Sequence, residues 1–259
     1  MKKKPLSIFV IFIVLTICIY STNAVSTANI DIDNVTESAQ IILEKADEIR
    51  FPRESFQVDV SINTSTPNQA NDIREYRVLS KGNKNSIVMT TAPASDRGQT
   101  MLMRGRDLWI FMPSVSQPIR LSLSQRLTGQ VANGDIARAN FSGDYTPKFL
   151  RTETIEGEEY NVLELVGVNR SVTYHKVLFW VQKLNYWPYR AEFYSLSGRL
   201  LKTSQYQNFQ LMLGQLRPTR LVMEDALRED EVSVLDYSEM SLRDLPDKVF
   251  TKNYLKRLE

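Results

Sequence analysis

The chain carries one cysteine and one histidine in 259 residues, and these two scarcities remove most catalytic chemistries. A disulfide framework needs pairs of thiols. A zinc site needs a set of histidine and cysteine ligands at short spacings, which one imidazole and one thiol cannot supply. A Ser/His/Asp or Cys/His constellation would have to be built on His175, in SVTYHKVLFWV, and no Gly-x-Ser-x-Gly turn accompanies it. That segment is rich in β-branched and aromatic residues and reads as strand, with His175 partly exposed. No phosphate-cradling glycine pattern is present. Asp31-x-Asp33-Asn34 with Glu37 lacks the glycine and the spacing of a calcium loop, and Asn34 as helix N-cap with Glu37 three residues on accounts for it better. The acidic runs Glu158-Glu159 and Glu229-Asp230-Glu231 sit in turn-like, charged contexts that read as solvated loops. Nothing in this inventory announces an enzyme, a metal or a cofactor.

The first 24 residues read as an export signal rather than as fold. Lys2, Lys3 and Lys4 give a basic start, Leu6 to Tyr20 is an almost unbroken apolar run, and Thr22-Asn23-Ala24 offers a small-residue cleavage site. The run is short for a transmembrane helix, although an uncleaved anchor stays open as an alternative. Leu15-Thr16-Ile17-Cys18 departs from a lipobox at Ile17, so Cys18 reads as an ordinary signal-peptide residue. Cleavage near Ala24 leaves about 235 residues with no cysteine, and loss of the three lysines takes the formal charge from +2 to −1. A near-neutral chain without a clustered basic face gives no support to nucleic-acid binding. That length permits a core held by burial alone.

What is present is a helix followed by many strands. Val35, Ala39, Ile42, Ala46 and Ile49 fall on one helical stripe that Pro52 ends. Phe56, Val58, Val60 and Ile62 alternate with Gln57, Asp59, Ser61 and Asn63, which predicts a strand with one dry and one wet face. Strands are predicted over residues 74–80, 86–91, 101–104 and 108–112, then 150–155, 160–166, 172–182, 189–195, 199–209, 219–224 and 232–237. Gly82, Gly105, Gly157, Gly167 and Gly198 mark reversals. A dozen sequential strands at short spacing imply one large antiparallel sheet, curved or rolled into a barrel.

Two places break this rhythm. Leu108, Trp109, Ile110, Phe111 and Met112 are consecutive large apolar residues, so that strand must be covered on both faces. Residues 113–147 are too long for a hairpin loop; a short helix is expected around Leu121 to Gln130, then the polar Ala132-Asn133-Gly134-Asp135. An insertion of this length in a domain is commonly a lid or binding element. The C-terminal LPDKVFTKNYLKRL carries Leu245, Val249, Phe250, Tyr254 and Leu255, which favour docking and could cap an open barrel end.

Three stretches carry a family resemblance: MLMRGRDLWIFMPSVSQPIRLSLSQR, FWVQKLNYWPYRAEFYSLSGRLLKTSQY, and RPTRLVMED followed by LPDKVFTKNYLKRL. In this order they resemble the outer-membrane lipoprotein-sorting (LolA-like) superfamily, in its exported LolA-like branch. The resemblance implies a mainly β fold with helices, an incomplete antiparallel β-barrel with an apolar inner face and a helical lid, as one domain over residues 25–259. It implies a periplasmic carrier of lipoprotein acyl chains or another lipid, delivering towards the outer membrane. Its partners would be an inner-membrane exporter and an outer-membrane acceptor. A non-transporting lipid- or lipoprotein-sensing or exporter-accessory module of the envelope is the alternative. Met101, Met103, Trp109, Phe111, Phe179 and Trp180 are the expected cavity-lining residues, because methionine and aromatic side chains adapt to an irregular apolar ligand. On this expectation Trp109→Ser or Phe111→Ser weakens lipid binding more than folding.

Overall fold

The computed structural model describes residues 32–255 apart from positions 83, 139 and 229, with side chains from residue 39 onward. The export signal, Cys18 and the end of the C-terminal stretch lie outside these residues. Helix α1 runs over Ile32–Arg50, so Asn34 lies within the helix and not at its cap. Its buried stripe is Ala39, Ile42, Leu43, Ala46 and Ile49.

The sheet is built from β1 (Phe56–Ser65), β2 (Asp72–Lys81), β3 (Asn85–Ala92), β4 (Thr100–Arg104), β5 (Asp107–Phe111) and β6 (Ile119–Leu121), and, after the insertion, from β9 (Tyr145–Ile155), β10 (Glu158–Gly167), β11 (Lys176–Gln182), β12 (Pro188–Tyr194), β13 (Leu200–Met212), β14 (Gln215–Asp225) and β15 (Val232–Leu242). These 13 strands form one antiparallel sheet in the order β6-β5-β4-β3-β2-β1-β15-β14-β13-β12-β11-β10-β9. Two meanders are therefore joined at one seam, where the first strand pairs with the last, as in Ile62 opposite Leu235. The edge strands β6 and β9 do not pair, so the barrel is incomplete.

The expected alternation in β1 is present, with every second residue buried from Phe56 to Thr64. Val78, Met103 and Leu108 from one end of the sheet belong to the same apolar cluster as Leu163, Phe179 and Val181 from the other. A sheet whose distant strands share one cluster is wrapped around it. Helix α1 covers this inner face over β9, β12 and β14.

The insertion covers the rest, with a different secondary structure from the one expected. No helix spans Leu121 to Gln130. That stretch instead holds the last residue of β6 and all of β7 (Arg126–Thr128), which pairs with β8 (Val131–Ala132), and the helix, α2, comes next, over Asn133–Ala137. The tight turn at Gly129 has φ +47°, and a Cβ there would come within 2.3 Å of the Thr64 and Ser233 hydroxyls. Only glycine lets this turn press on the seam, where Gln130 donates its backbone N–H to Ser233 Oγ at 2.9 Å.

The C-terminal segment docks, but on the outer face of the sheet and not across a barrel end. Leu245, Val249, Phe250 and Leu255 cluster with Ile87, Leu102 and Phe111, with Trp109 at the margin. Lys81 ties this segment down by donating to Leu245 O at 2.8 Å and to Asp247 Oδ1 at 2.7 Å. The continuous apolar run at 108–112 is thus explained: Leu108 and Ile110 face inward, and Trp109 and Phe111 face the C-terminal segment.

Candidate functional site

The inner face is closed by an insertion that brings charge with it. Asp135, in the first turn of α2, accepts from Tyr174 Oη at 2.7 Å and from its own Ala132 N–H at 2.8 Å. Lys202 of β13 reaches it at 2.8 Å and also donates to Gln130 O. Both side chains of this ion pair are buried. Burial holds the Lys202 ammonium below its usual range, with the Asp135 charge pulling the other way. The Tyr174 hydroxyl is pushed well above its usual range by burial and then by the same carboxylate. Gly134 makes this approach feasible, since a Cβ there would lie 2.0 Å from Thr173 Oγ1.

A second buried pair sits at the end of α1. Asp47 meets Arg50 at 3.1 Å and accepts the backbone N–H groups of Phe141 and Ser142 at 3.1 and 2.7 Å, so helix and insertion share one carboxylate. Burial raises the Asp47 pKa, and Arg50 opposes that rise. The Arg50 guanidinium lies 4.4 Å from the Phe141 ring centre. A further pin is Ser86 of β3, which donates to Ala137 O at 2.7 Å.

With these contacts made, the interior is nearly full. A cavity of about 30 Å³ lies between Arg50, Phe141, Tyr174 and Tyr206, and one of about 10 Å³ between Phe51, Val78 and Ile136. The first suits roughly one water molecule. Larger spaces open at the two sides of the insertion. One is a groove of about 300 Å³ between β2–β5 and residues 119–127, with Tyr76, Met101, Ile110, Met112, Leu121 and Leu127 among its walls. The other is a cleft of about 320 Å³ beside the β7–β8 turn.

The six residues expected to line a cavity divide by face. Met101, Met103 and Phe179 face inward in the main cluster, and Met101 also forms part of the groove wall. Trp109 and Phe111 lie under the C-terminal segment on the opposite face. Trp180 is also on the outer face, where its Nε1 donates to Glu153 at 2.7 Å and the Arg190 guanidinium stacks 4.0 Å from its ring centre. The six therefore do not form one wall. His175 is half-buried just ahead of β11, outside the strand, with its backbone bonded to Gly167 and Tyr194.

Sequence reading missed the buried ion pairs Asp47–Arg50 and Asp135–Lys202 and a third, Arg138–Asp144. Asp47–Arg50 had a signal, a carboxylate and a guanidinium three residues apart near the apolar stripe of a helix. Asp135–Lys202 had none, because its partners lie on an irregular insertion and a strand 67 residues away. Among the described residues no group of acidic, histidine and cysteine side chains could hold a metal ion, and no helix is long and apolar enough to cross a membrane.

An open antiparallel sheet wrapped around an apolar interior, with a helix and an inserted lid on its inner face, defines a lidded half-barrel. A family model described as that of an uncharacterized protein matches residues 82–257. The solved LolA superfamily protein from Nitrosomonas europaea is 72% identical, superposes with a TM-score of 0.81, and is matched over 83% of this chain and 98% of its own. The chain therefore belongs to the LolA superfamily. A domain assigned to an outer-membrane lipoprotein-sorting protein of Vibrio parahaemolyticus shares the fold at 20% identity, with a TM-score of 0.71 over 86% of this chain and 100% of that one. So does a DUF1329 family protein from Desulfovibrio piger, at 21% identity and a TM-score of 0.72 over 85% and 99% of the two chains. No curated protein matches the chain.

Proposed function

We propose that this protein is an exported, non-enzymatic carrier that shelters the acyl chains of a lipoprotein or another lipid beneath its lid and delivers them towards the outer membrane. The reading places residues 25–259 in the periplasm as one domain after removal of residues 1–24. An inner-membrane exporter and an outer-membrane acceptor are its partners. The observation that carries it is the groove at the lid's edge, whose wall residue Met101 belongs to the same apolar cluster as the closed interior. Met101, Met103 and Phe179 are the lining residues that this reading retains.

Burial of an acyl chain is favourable by about 0.8 kcal/mol per methylene, so a chain of roughly 14 carbons represents on the order of 10 kcal/mol. Cavities of about 30 and about 10 Å³ cannot hold it, because ligand pockets of drug size start near 300 Å³. Cargo therefore enters from the groove as the lid withdraws. Leu121, Leu127, Phe141 and the Asp135 turn move with it. Withdrawal separates Asp135 from Lys202, and hydrating both charges offsets part of the cost of uncovering the inner face. A carrier needs both states close in energy in order to release what it holds.

The test is to purify the protein gently from membranes of its host and analyse the extract by mass spectrometry. A stoichiometric lipid or acylated peptide, lost in Leu127→Arg while the variant still melts cooperatively, is the expected outcome. Equal lipid content in wild type and variant would remove the groove from the mechanism, and an empty protein would sink the carrier reading.

A further inference from the structure

The cleft on the other side of the lid has a different chemistry from the groove. It lies between the β7–β8 hairpin, the β12–β13 turn and the β14–β15 loop, and these three segments each contribute an exposed arginine: Arg126 at the start of β7, Arg199 and Arg228. Acidic compensation is incomplete. Arg126 and Arg228 share one carboxylate, Glu231, at 3.8 and 3.1 Å. Asp225 uses Oδ1 on the backbone N–H groups of Leu227 and Arg228. Arg199 has no ion-pair partner among the described residues. Lys202 and Gln130 also line the cleft. The Gln130 side chain is buried, and its Nε2 donor has no hydrogen-bond acceptor. A buried donor without an acceptor is costly.

We infer that this cleft binds a phosphate-type oxyanion, carried as the headgroup of an anionic phospholipid. Arginine forks recognise phosphate by paired hydrogen bonds that a lysine cannot make, and three forks converging from separate segments fit a tetrahedral anion better than a single carboxylate. The position of Arg126 links head to tail, since it lines both the cleft and the apolar groove. An amphiphile with its phosphate among the arginines therefore has its acyl chains directed past Arg126 to Leu127, Leu121 and Met101. Leu201 and Leu227 flank the cleft, and Leu227 is 69% exposed. The tail placement rests on the carrier reading, whereas the anion site does not.

Calorimetric titration of the purified protein with dioctanoyl phosphatidylglycerol, dioctanoyl phosphatidylcholine and inorganic phosphate separates the possibilities. The expected result is that the anionic lipid binds about tenfold more tightly than the zwitterionic one, with the preference shrinking at high salt. The double substitution Arg199→Gln/Arg228→Gln abolishes the preference by weakening phosphatidylglycerol most, because phosphatidylcholine carries the same phosphate with its charge balanced by the choline ammonium. Equal binding of the two lipids, or a preference that survives the double substitution, overturns the inference and leaves the carrier reading intact. Phosphate binding that needs both arginines, without lipid binding, supports the oxyanion site with a free anion as its ligand and overturns the assignment to a lipid headgroup. Binding of none of the three overturns the anion site and leaves the carrier reading to its own test.

Discussion

The two faces of the β3–β5 region are both buried, yet they are covered by different kinds of surface. On the outer face the cover is apolar: Leu245, Val249, Phe250 and Leu255 lie on Ile87, Leu102 and Phe111, with Lys81 fastening the edge. On the inner face the cover carries Asp135, Asp144, Arg138 and the backbone of a five-residue helix into the interior. An apolar cover gains from every Å² it buries and has no reason to leave. A cover with charges in it gives up hydration on closing and regains it on opening, so it suits a part that moves. On the carrier reading the outer layer stays in place and the inner one moves, over the same few strands.

The comparison can be broken most severely at Asp135. Asp135→Ala leaves Lys202 buried without its carboxylate, and urea denaturation should show a loss of about 3–5 kcal/mol, mostly recovered when Lys202→Met and Asp135→Leu are combined. Failure of the double variant to recover would mean that the pair stabilises the closed lid outright. On the outer face, Phe250→Ala opens a cavity and should cost about 3 kcal/mol, with bound lipid unchanged per folded molecule. Loss of lipid out of proportion to stability would couple the two layers.

Alkali sharpens the contrast further. Tyr145, Tyr174 and Tyr206, all on the inner side, have hydroxyl pKa values raised first of all by burial. A tyrosine whose folded pKa exceeds its unfolded value contributes stability that is complete below about pH 10 and is lost as pH rises towards the folded pKa. Tyr76 and Tyr237 of the same cluster are raised by burial as well, and Lys202, lowered by burial, works in the opposite direction as one group against five. Stability should therefore fall as pH rises past about 10, with tyrosinate absorbance at 295 nm appearing together with unfolding. Tyrosinate appearing well before unfolding would show that the inner layer opens first. The smallest effect belongs to Trp109→Ser, which should change lipid affinity by less than about 0.5 kcal/mol because its ring faces Lys252 at 4.2 Å and not the groove.

The strands were legible because most carry turn glycines and a half-buried alternation. β1 shows this most plainly. Where alternation fails, as at 108–112, the sequence announces that both faces are covered and leaves open which residue faces which cover. Periodicity alone therefore cannot show that Trp109 and Phe111 face the C-terminal segment, because the deciding partners lie about 140 residues later. The stretch from Leu121 to Gln130 contains good helix formers, but Gly129 pressed against Thr64 and Ser233 fixes a hairpin there instead. Tertiary contact overrides a weak local preference. The Asp135–Lys202 pair could not be read at all, since no periodicity connects an insertion to a strand. The arginines of the cleft come from a hairpin strand, a turn and a loop that meet only in the fold.

The seam between β1 and β15 has a consequence in time. For a chain threaded N-terminus first, the two meanders can each begin to form, but neither can complete the central pairing until residue 242 has emerged. Contacts of such long sequence separation form slowly. The same late residues include the cover for the outer face of β3–β5, so those strands stay uncovered until the end as well. The topology therefore delays completion of the sheet until its last strand has emerged.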